Sequence, residues 1–484
     1  MPPAGSDGHG AAGTAGAAKN GPGHAEASHP AASSSASGRA DGASGQASNA
    51  RAPAQDEPHD SDDKSDHADD GGGPAVTTGF ASEPEDPATY LFDQTKLLTY
   101  NIQVAPNDLA KLDRDPSAEQ YVGGTLEFEG QKYGPIGVRY KGGYSGFQPP
   151  CSYGTGAQRI GKCSIKLAFD EADSKGRFFG LKKLNLHSMD FDPSLMHDRL
   201  GYALFREFGV AAPRAVHARI YLNGVPLGLY VVVEQIDGRF TRARFADGGK
   251  GNLYKEVWPL YADPSVYTNA LETNQKAGRV QGMLALHDAV STGTPAAVAR
   301  VIDRDYTLRY AAVDRVIIND DGMFHFWCSS GVANGNNPNG SGNHNYYWYE
   351  EESAKKLWLL PWDLDLTFSF TADAHIVVPW NRAAKCRCLR SGTGFQLPSS
   401  CDPLVGDFIK WGADYDRQVA AFLAGPFSPA SISAKLDTWI SQIAPSVAEF
   451  ANTQDAQDVA TWQHALDELR KAIESARAHR GYAY

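Results

Sequence analysis

KKLWLLPWDLDLTFSF, Lys355 to Phe370, is almost wholly apolar, yet it carries Asp363 and Asp365. Leu359, Leu360, Trp362 and Phe368 give the stretch the look of a buried strand. Residues two apart in a strand point to the same side. Asp363 and Asp365 are therefore expected to project together, with Leu364 and Leu366 opposite. Two like charges at that spacing repel unless something positive lies between them. Mg²⁺ suits such a pair, because it takes hard oxygen ligands and keeps part of its shell for water or phosphate. The alternative is a strand edge where both acids meet solvent or an arginine, and the apolar flanks weigh against it.

The chain has 484 residues, enough for one large or two ordinary domains, and its 42% hydrophobic and 21% charged content is that of a globular protein. The net charge of −12 argues against a nucleic-acid partner, which asks for a basic footprint. No apolar run is long enough to span a bilayer, so no integral membrane segment is expected. The start, MPPAGSDGHGAAG, has no cationic stretch followed by an apolar one, so no signal peptide is visible. Cys151 and Cys163 flank a glycine-rich loop, and Cys386, Cys388 and Cys401 cluster in another, with Cys328 apart. This pattern favours disulfides and an oxidising compartment over a zinc site, for which no close second pair or histidine is at hand. Free thiols in a reducing cell are the other reading.

Residues 1–88 are Ala, Gly, Ser, His and Asp, too poor in large apolar side chains to offset chain entropy, and read as a disordered tail. Order is expected from about Tyr90. LLTYNIQV, TLEFEG, IGVRYKG and CSIKLAFD read as strands; in the last, Ile165, Leu167 and Phe169 face one way and Lys166 the other. Ser194 to Gly209 reads as a helix, started by Asp192–Pro193 and ended by Gly209. Ala218 to Asp237 reads as a hairpin turning at Asn223–Gly224. GRVQGMLALHDAV, LRYAAVDRVIIND and two amphipathic patterns near the end read as helices. A β-rich first part, 89–237, followed by a helical part, 238–484, is an α+β arrangement.

Asp320 and Asp321 follow Asn319 at the end of an apolar element, where a carboxylate can act as base on a hydroxyl. Asn-Asp-Asp-Gly is equally good turn chemistry, and taken alone the turn is the better reading. His344 and Asn345 precede the strand-like YYWY; the asparagine can cap or ligate. Arg139 and Lys141 lead into the bend GGYSGF, and Lys166 lies on a strand; each can neutralise phosphate or simply be solvated. GGYSG is not a P-loop pattern.

Several segments together resemble the CotH family of spore-coat and secreted kinase-like proteins: GVRYKGGYS, KKLNLHSMDFDPSLMHDRLGYALFREFGV, APRAVHARIYLNGVPLGLYVVVEQIDGRF, GNLYKEV, NHNYYWY and LLPWDLDLTF. They occur in the family's order over roughly Thr125 to Phe370. The resemblance implies a two-lobed, atypical protein-kinase-like fold that binds ATP and Mg²⁺ and phosphorylates proteins, usually outside the cytoplasm or at the cell surface. It assigns the catalytic aspartate to Asp321, with Asp320 beside it and Asn345 nearby. It assigns the metal to Asp363, with Asp365 as neighbour. By analogy with ordinary kinases, Lys166 contacts phosphate and Asp198 pairs with it, with Arg139 and Lys141 as further nucleotide-side cations. VVVEQID, with Glu234, links the lobes near the adenine. Three departures stand out: the long insertion between Asp321 and His344, Asp320 where the family often has an aromatic, and the added Cys386–Cys401 loop. A silent binding module on the same fold and a nucleotidyl or glycosyl transferase are the rival functions.

Overall fold

The computed structural model describes residues 86–142, 162–327, 342–368, 386–391, 394–451, 453 and 458–480. The low-complexity tail to residue 85, the bend beyond Gly142, Cys151, Cys328 and the Gly/Asn-rich loop after it lie outside the described residues.

The fold is mixed α+β. Its N-terminal part is a closed barrel of seven strands, β1 (Leu98–Val104), β2 (Val122–Phe128), β3 (Gln131–Lys141), β4 (Ser164–Ala168), β5 (Lys183–His187), β6 (Ala215–Leu222) and β7 (Val225–Val233). They are ordered β1-β2-β3-β4-β5-β7-β6, and the parallel pairing of β1 with β6 closes the ring. Period-two alternation fills it. Val138, Tyr140, Ile165, Leu167, Leu184, Leu186, Tyr230 and Val232 share the interior. The alternate residues Arg139, Lys141, Lys166, Asn185 and His187 point outward, yet they too are buried. Alternation predicts the face of Lys166 correctly but not that this outer face is covered.

The expected hairpin turn forms at Asn223 (φ 51°) and Gly224 (φ 80°), the double left-handed conformation that suits two-residue hairpins. Asn223 also completes the barrel. Its backbone N–H donates to Ile102 O at 2.8 Å, and its side chain exchanges hydrogen bonds with Val104 N and O at 2.8 and 2.9 Å. One side chain thus extends the β1–β6 pairing by a rung.

The helices are α1 (Pro106–Arg114), α2 (His197–Glu207), α3 (Gly238–Arg244), α4 (Pro264–Thr268), α5 (Gln281–Ser291), α6 (Pro295–Val301), α7 (Arg304–Val316), α8 (Pro403–Ile409), α9 (Gly412–Ala424), α10 (Pro429–Phe450) and α11 (Val459–Ala478). Strands β8 (Asn252–Lys255), β10 (Tyr346–Glu351) and β11 (Lys356–Pro361) form one small sheet; β9 (Phe326–Trp327), β12 (Leu389–Ser391) and β13 (Gly394–Leu397) form another. The expected helices appear as α2, α5, α7, α10 and α11. Helices α1, α3, α4, α6, α8 and α9 are not among the expected ones; on α1 only Leu109 and Leu112 are buried, too few to make a visible period. Among the described residues no helix is long and apolar enough to cross a membrane.

A second apolar core joins Leu200, Leu204 and Phe205 of α2 to Val231 and Val233 of β7, Tyr310, Leu359, Trp439 and Leu469. Strand β7 is therefore buried on both faces, which explains its unbroken apolar run. Directly after it, Glu234 is buried among arginines. Its carboxylate accepts from Arg214 Nη2 at 2.7 Å and from Arg244 Nη2 at 2.6 Å, and Arg239 lies 3.5 Å away. Asp86 pairs with Arg214 and Arg239 from the other side. Residues 86–88, read as tail, are thus tied down here, with Ala88 fully buried. Burial works against the Glu234 charge, but Arg244 and Arg214 outweigh it and hold the carboxyl below its usual range.

Two outcomes follow from these contacts. Asn223→Ala should cost about 2–4 kcal/mol, from two lost hydrogen bonds and a left-handed alanine, read by denaturant unfolding. Glu234→Ala leaves buried arginines unpaired and should cost about 3–5 kcal/mol. Because the folded pKa is depressed, Glu234 contributes its stability above the unfolded value of about 4.3 and loses it as pH falls through the folded pKa. The variant's stability should accordingly fall less steeply below that pH than the parent's.

Candidate active site

Strand β11 ends at Pro361, so Asp363 and Asp365 do not share a strand face as expected. Its partner β10 begins at Tyr346, opposite Pro361, and the ladder runs out there. The chain then turns at Asp363, whose φ is 46°, a left-handed conformation that aspartate tolerates better than most residues.

One face of α2 holds this loop. Asp363 N–H donates to the Tyr202 hydroxyl at 3.0 Å, and Leu364 N–H donates to Asp198 Oδ1 at 3.1 Å. His197 Nδ1 donates to the Asp365 carbonyl at 2.7 Å. Leu364 packs onto Gly201, where a Cβ would stand 2.9 Å from Leu364 Cδ1. Positions 197, 198, 201 and 202 lie on one side of a helix. Asp192 starts α2 by accepting from His197 N at 2.6 Å and from Ser194 N and Leu195 N.

Asp198 is buried and Asp363 is the more open acid, at 2% and 35% of side-chain area. His187 lies between them, its Nδ1 3.1 Å from Asp198 Oδ2 and 3.8 Å from Asp363 Oδ1. Ligand atoms of these three side chains fall within 4.8 Å of one another, a geometry that can hold a metal ion. Lys141 Nζ is 3.2 Å from His187 Nε2, and the Trp362 ring packs against both residues. Burial raises the Asp365 carboxyl well above its usual range, and the charges of Asp363, Asp198, Asp321 and Asp192 raise it further. Five carboxylates thus share one field.

Asp321 enters from the turn after α7. Its Oδ1 accepts from Trp327 Nε1 at 2.6 Å, and its Oδ2 accepts from Asn345 Nδ2 at 3.0 Å. Burial raises its pKa, and the nearby His344 charge opposes the rise. Asn345, in the left-handed region at φ 62°, is fixed by Glu256, which accepts from its N–H at 2.8 Å, and by Trp362 N–H, which donates to its carbonyl at 3.1 Å. Asp320 N–H donates to Leu366 O at 3.1 Å, tying this turn to the Asp363 loop, and Asp320 Oδ1 lies 3.2 Å from His325 Nδ1. Beneath the turn, Asn319 Nδ2 donates to buried Asp314, whose carboxyl burial pushes up to about 7. A Cβ on Gly322 would lie 2.2 Å from Asn319 Nδ2, so only glycine fits there.

The remaining residues singled out in the sequence divide into two groups. Arg139 and Lys166 are cross-strand neighbours on the outer barrel face, with Asn185, which is not among the candidates read from the sequence, on the far side of Lys166, and Arg139 is neutralised by Glu119 at 2.6 Å. The contacts of Asp198 run to His187 and Leu364, next to Lys141 rather than one rung away at Lys166. Glu234 faces its arginines. His187, His197, Tyr202 and Trp327 join the site without being candidates from the sequence. The alternation of KLNLH does put His187 on the polar face with Asn185, and helical spacing puts Tyr202 over Asp198; Trp327 carries no such signal.

The CotH family profile, described as CotH kinase protein, matches residues 138–479. The chain is 24% identical over 292 residues to Inner spore coat protein H of Bacillus subtilis (strain 168), covering 57% of this chain and 70% of that protein. It is 32% identical over 80 residues to an Inner spore coat protein H-like protein of the same organism, covering 16% of this chain and 24% of that one. With the match extending over most of the chain, this protein belongs to the CotH kinase family.

Proposed function

We propose that the chain is an ATP- and Mg²⁺-dependent protein kinase acting on secreted or surface proteins. In this reading it is two-lobed, with nucleotide between the β-rich lobe, about 89–237, and the helical lobe, about 238–484. The carrying observation is geometric: Asp198 of α2 and Asp363 of the loop after β11 bring carboxylate oxygens within 4.8 Å of each other and of His187, which Lys141 contacts, and the Asp321 turn is tied to the same loop through Asp320 N–H. The donor set fits the metal: oxygen ligands of high charge density are what Mg²⁺ prefers.

ATP, when bound, supplies the phosphoryl group and Mg²⁺ the neutralising charge. The residues of the chain do the rest. Asp363, the more exposed acid, and Asp198 offer carboxylate oxygens to the metal. Lys141 and Lys166, on the outer barrel face, offer positive charge to the phosphates. Asp321, held by Trp327 and Asn345, orients the acceptor hydroxyl and takes its proton; a carboxyl raised by burial is suited to that. Such positioning and charge placement is most of what phosphoryl transfer requires. The disulfide Cys386–Cys401, with Cys163 and Cys388 also disulfide-bonded, supports an oxidising, extracellular setting.

Incubation with labelled ATP tests the reading. γ-Label on protein is expected; α-label indicates a nucleotidyl transferase, and ATP binding without transfer indicates a silent module. Asp363→Ala should abolish Mg²⁺-dependent nucleotide binding or turnover while circular dichroism stays unchanged, and undiminished activity would refute its role. Asp321→Asn should remove transfer, by about 10²-fold or more, yet keep ATP affinity by calorimetry; joint loss would assign it a structural part instead.

A further inference from the structure

His187 stands inside the candidate metal cluster, but its hydrogen bonds give it a different job. The Lys141 ammonium, 3.2 Å from His187 Nε2, has only hydrogens to offer, so Nε2 must be the accepting nitrogen. The ring hydrogen is then on Nδ1 and points at Asp198 Oδ2, 3.1 Å away. A nitrogen carrying a hydrogen has no lone pair for a metal. The ring is held in this orientation by the Trp362 indole, perpendicular to it at 5.6 Å. All three members of the chain are buried: Lys141 at 5%, His187 at 4% and Asp198 at 2%.

We propose that His187 is a positioning residue that bridges Lys141 to Asp198 and leaves the metal to carboxylate oxygens alone. The bridge connects β3, β5 and α2, and through Leu364 N–H it reaches the loop that carries Asp363. The lysine and the acid are thereby coupled through the imidazole. Lys141 is kept aimed at the phosphates, and Asp198 keeps one oxygen on the loop and one on the ring. The role in nucleotide binding rests on the kinase reading; the tautomer does not.

Two measurements test it. In ¹⁵N NMR of the nucleotide-free protein, the His187 ring should carry its hydrogen on Nδ1; a hydrogen on Nε2 would overturn the bridge whatever the activity. In kinase assays, His187→Ala should raise the KM for ATP about 10- to 100-fold, the usual loss when a supporting partner of a metal site is removed. The KM for the acceptor protein should be unchanged. His187→Gln, which keeps an acceptor and a donor, should recover much of the loss. The effects of His187→Ala and Lys141→Met should not add in the double variant, as they would if His187 merely supported the fold. An ATP KM unchanged within twofold in His187→Ala would refute the positioning role. Absence of any ATP-dependent transfer in the parent, with the Nδ1 tautomer in place, would count against the kinase reading and leave the bridge standing.

Discussion

The grip of helix α2 on the main chain at 363–365 is the constraint on which the site depends. Four residues of one helical face, His197, Asp198, Gly201 and Tyr202, supply a donor, two acceptors and a gap to a loop that pairs with no strand at those positions. Without them Asp363 and Leu364 would have buried or half-buried N–H groups to satisfy elsewhere. With them, Asp363 is held in a left-handed turn beside Asp198, and the second turn, Asn319–Gly322, is tied to the same loop through Asp320 N–H. The acids come together because backbone hydrogen bonds put them there against their mutual repulsion.

Burial first, and the charges of Asp363 and Asp198 after it, push the Asp365 carboxyl well above its usual range. Buried acids seldom persist together without a counter-charge. Arg139 is quenched by Glu119 and the Glu234 carboxylate by three arginines, so both belong to the frame. Lys141 reaches the acids through an imidazole rather than directly.

Much of this was legible in the residues. Period-two alternation and β-formers point to β1 to β4 and to the outward face of Lys166, but β5 (Lys183–His187) is not among the strands read from the sequence; the helical period points to α2, α5, α7, α10 and α11. Asn223–Gly224 gave the hairpin because few other pairs adopt that turn. Asp363 stands out in the sequence because a carboxylate in an apolar run needs a reason, whereas Asp321 alone reads as a turn and takes its candidate role from the family resemblance. What was not legible has physical causes. The β11 strand was carried too far because its end is set by where β10 begins, a non-local fact. Lys166 was paired with Asp198 by analogy, whereas strand register sets Lys141 and His187 closer to that acid. Asn345 could cap or ligate on local grounds, and only the folded chain shows it orienting Asp321. The tie between residues 86–88 and the arginines could not be seen in composition, which averages over longer windows.

The central claim is that acids from α2, the Asn319–Gly322 turn and the Asp363 loop surround one metal-bound nucleotide. Mn²⁺ added with a non-hydrolysable ATP analogue tests it most directly, through paramagnetic broadening of assigned NMR signals. Selective broadening of Leu364 N–H, the Tyr202 ring and the Asp321 backbone, together with the analogue's phosphorus signals, is the predicted result. Broadening centred on another surface, or none at all at saturating nucleotide, would contradict it.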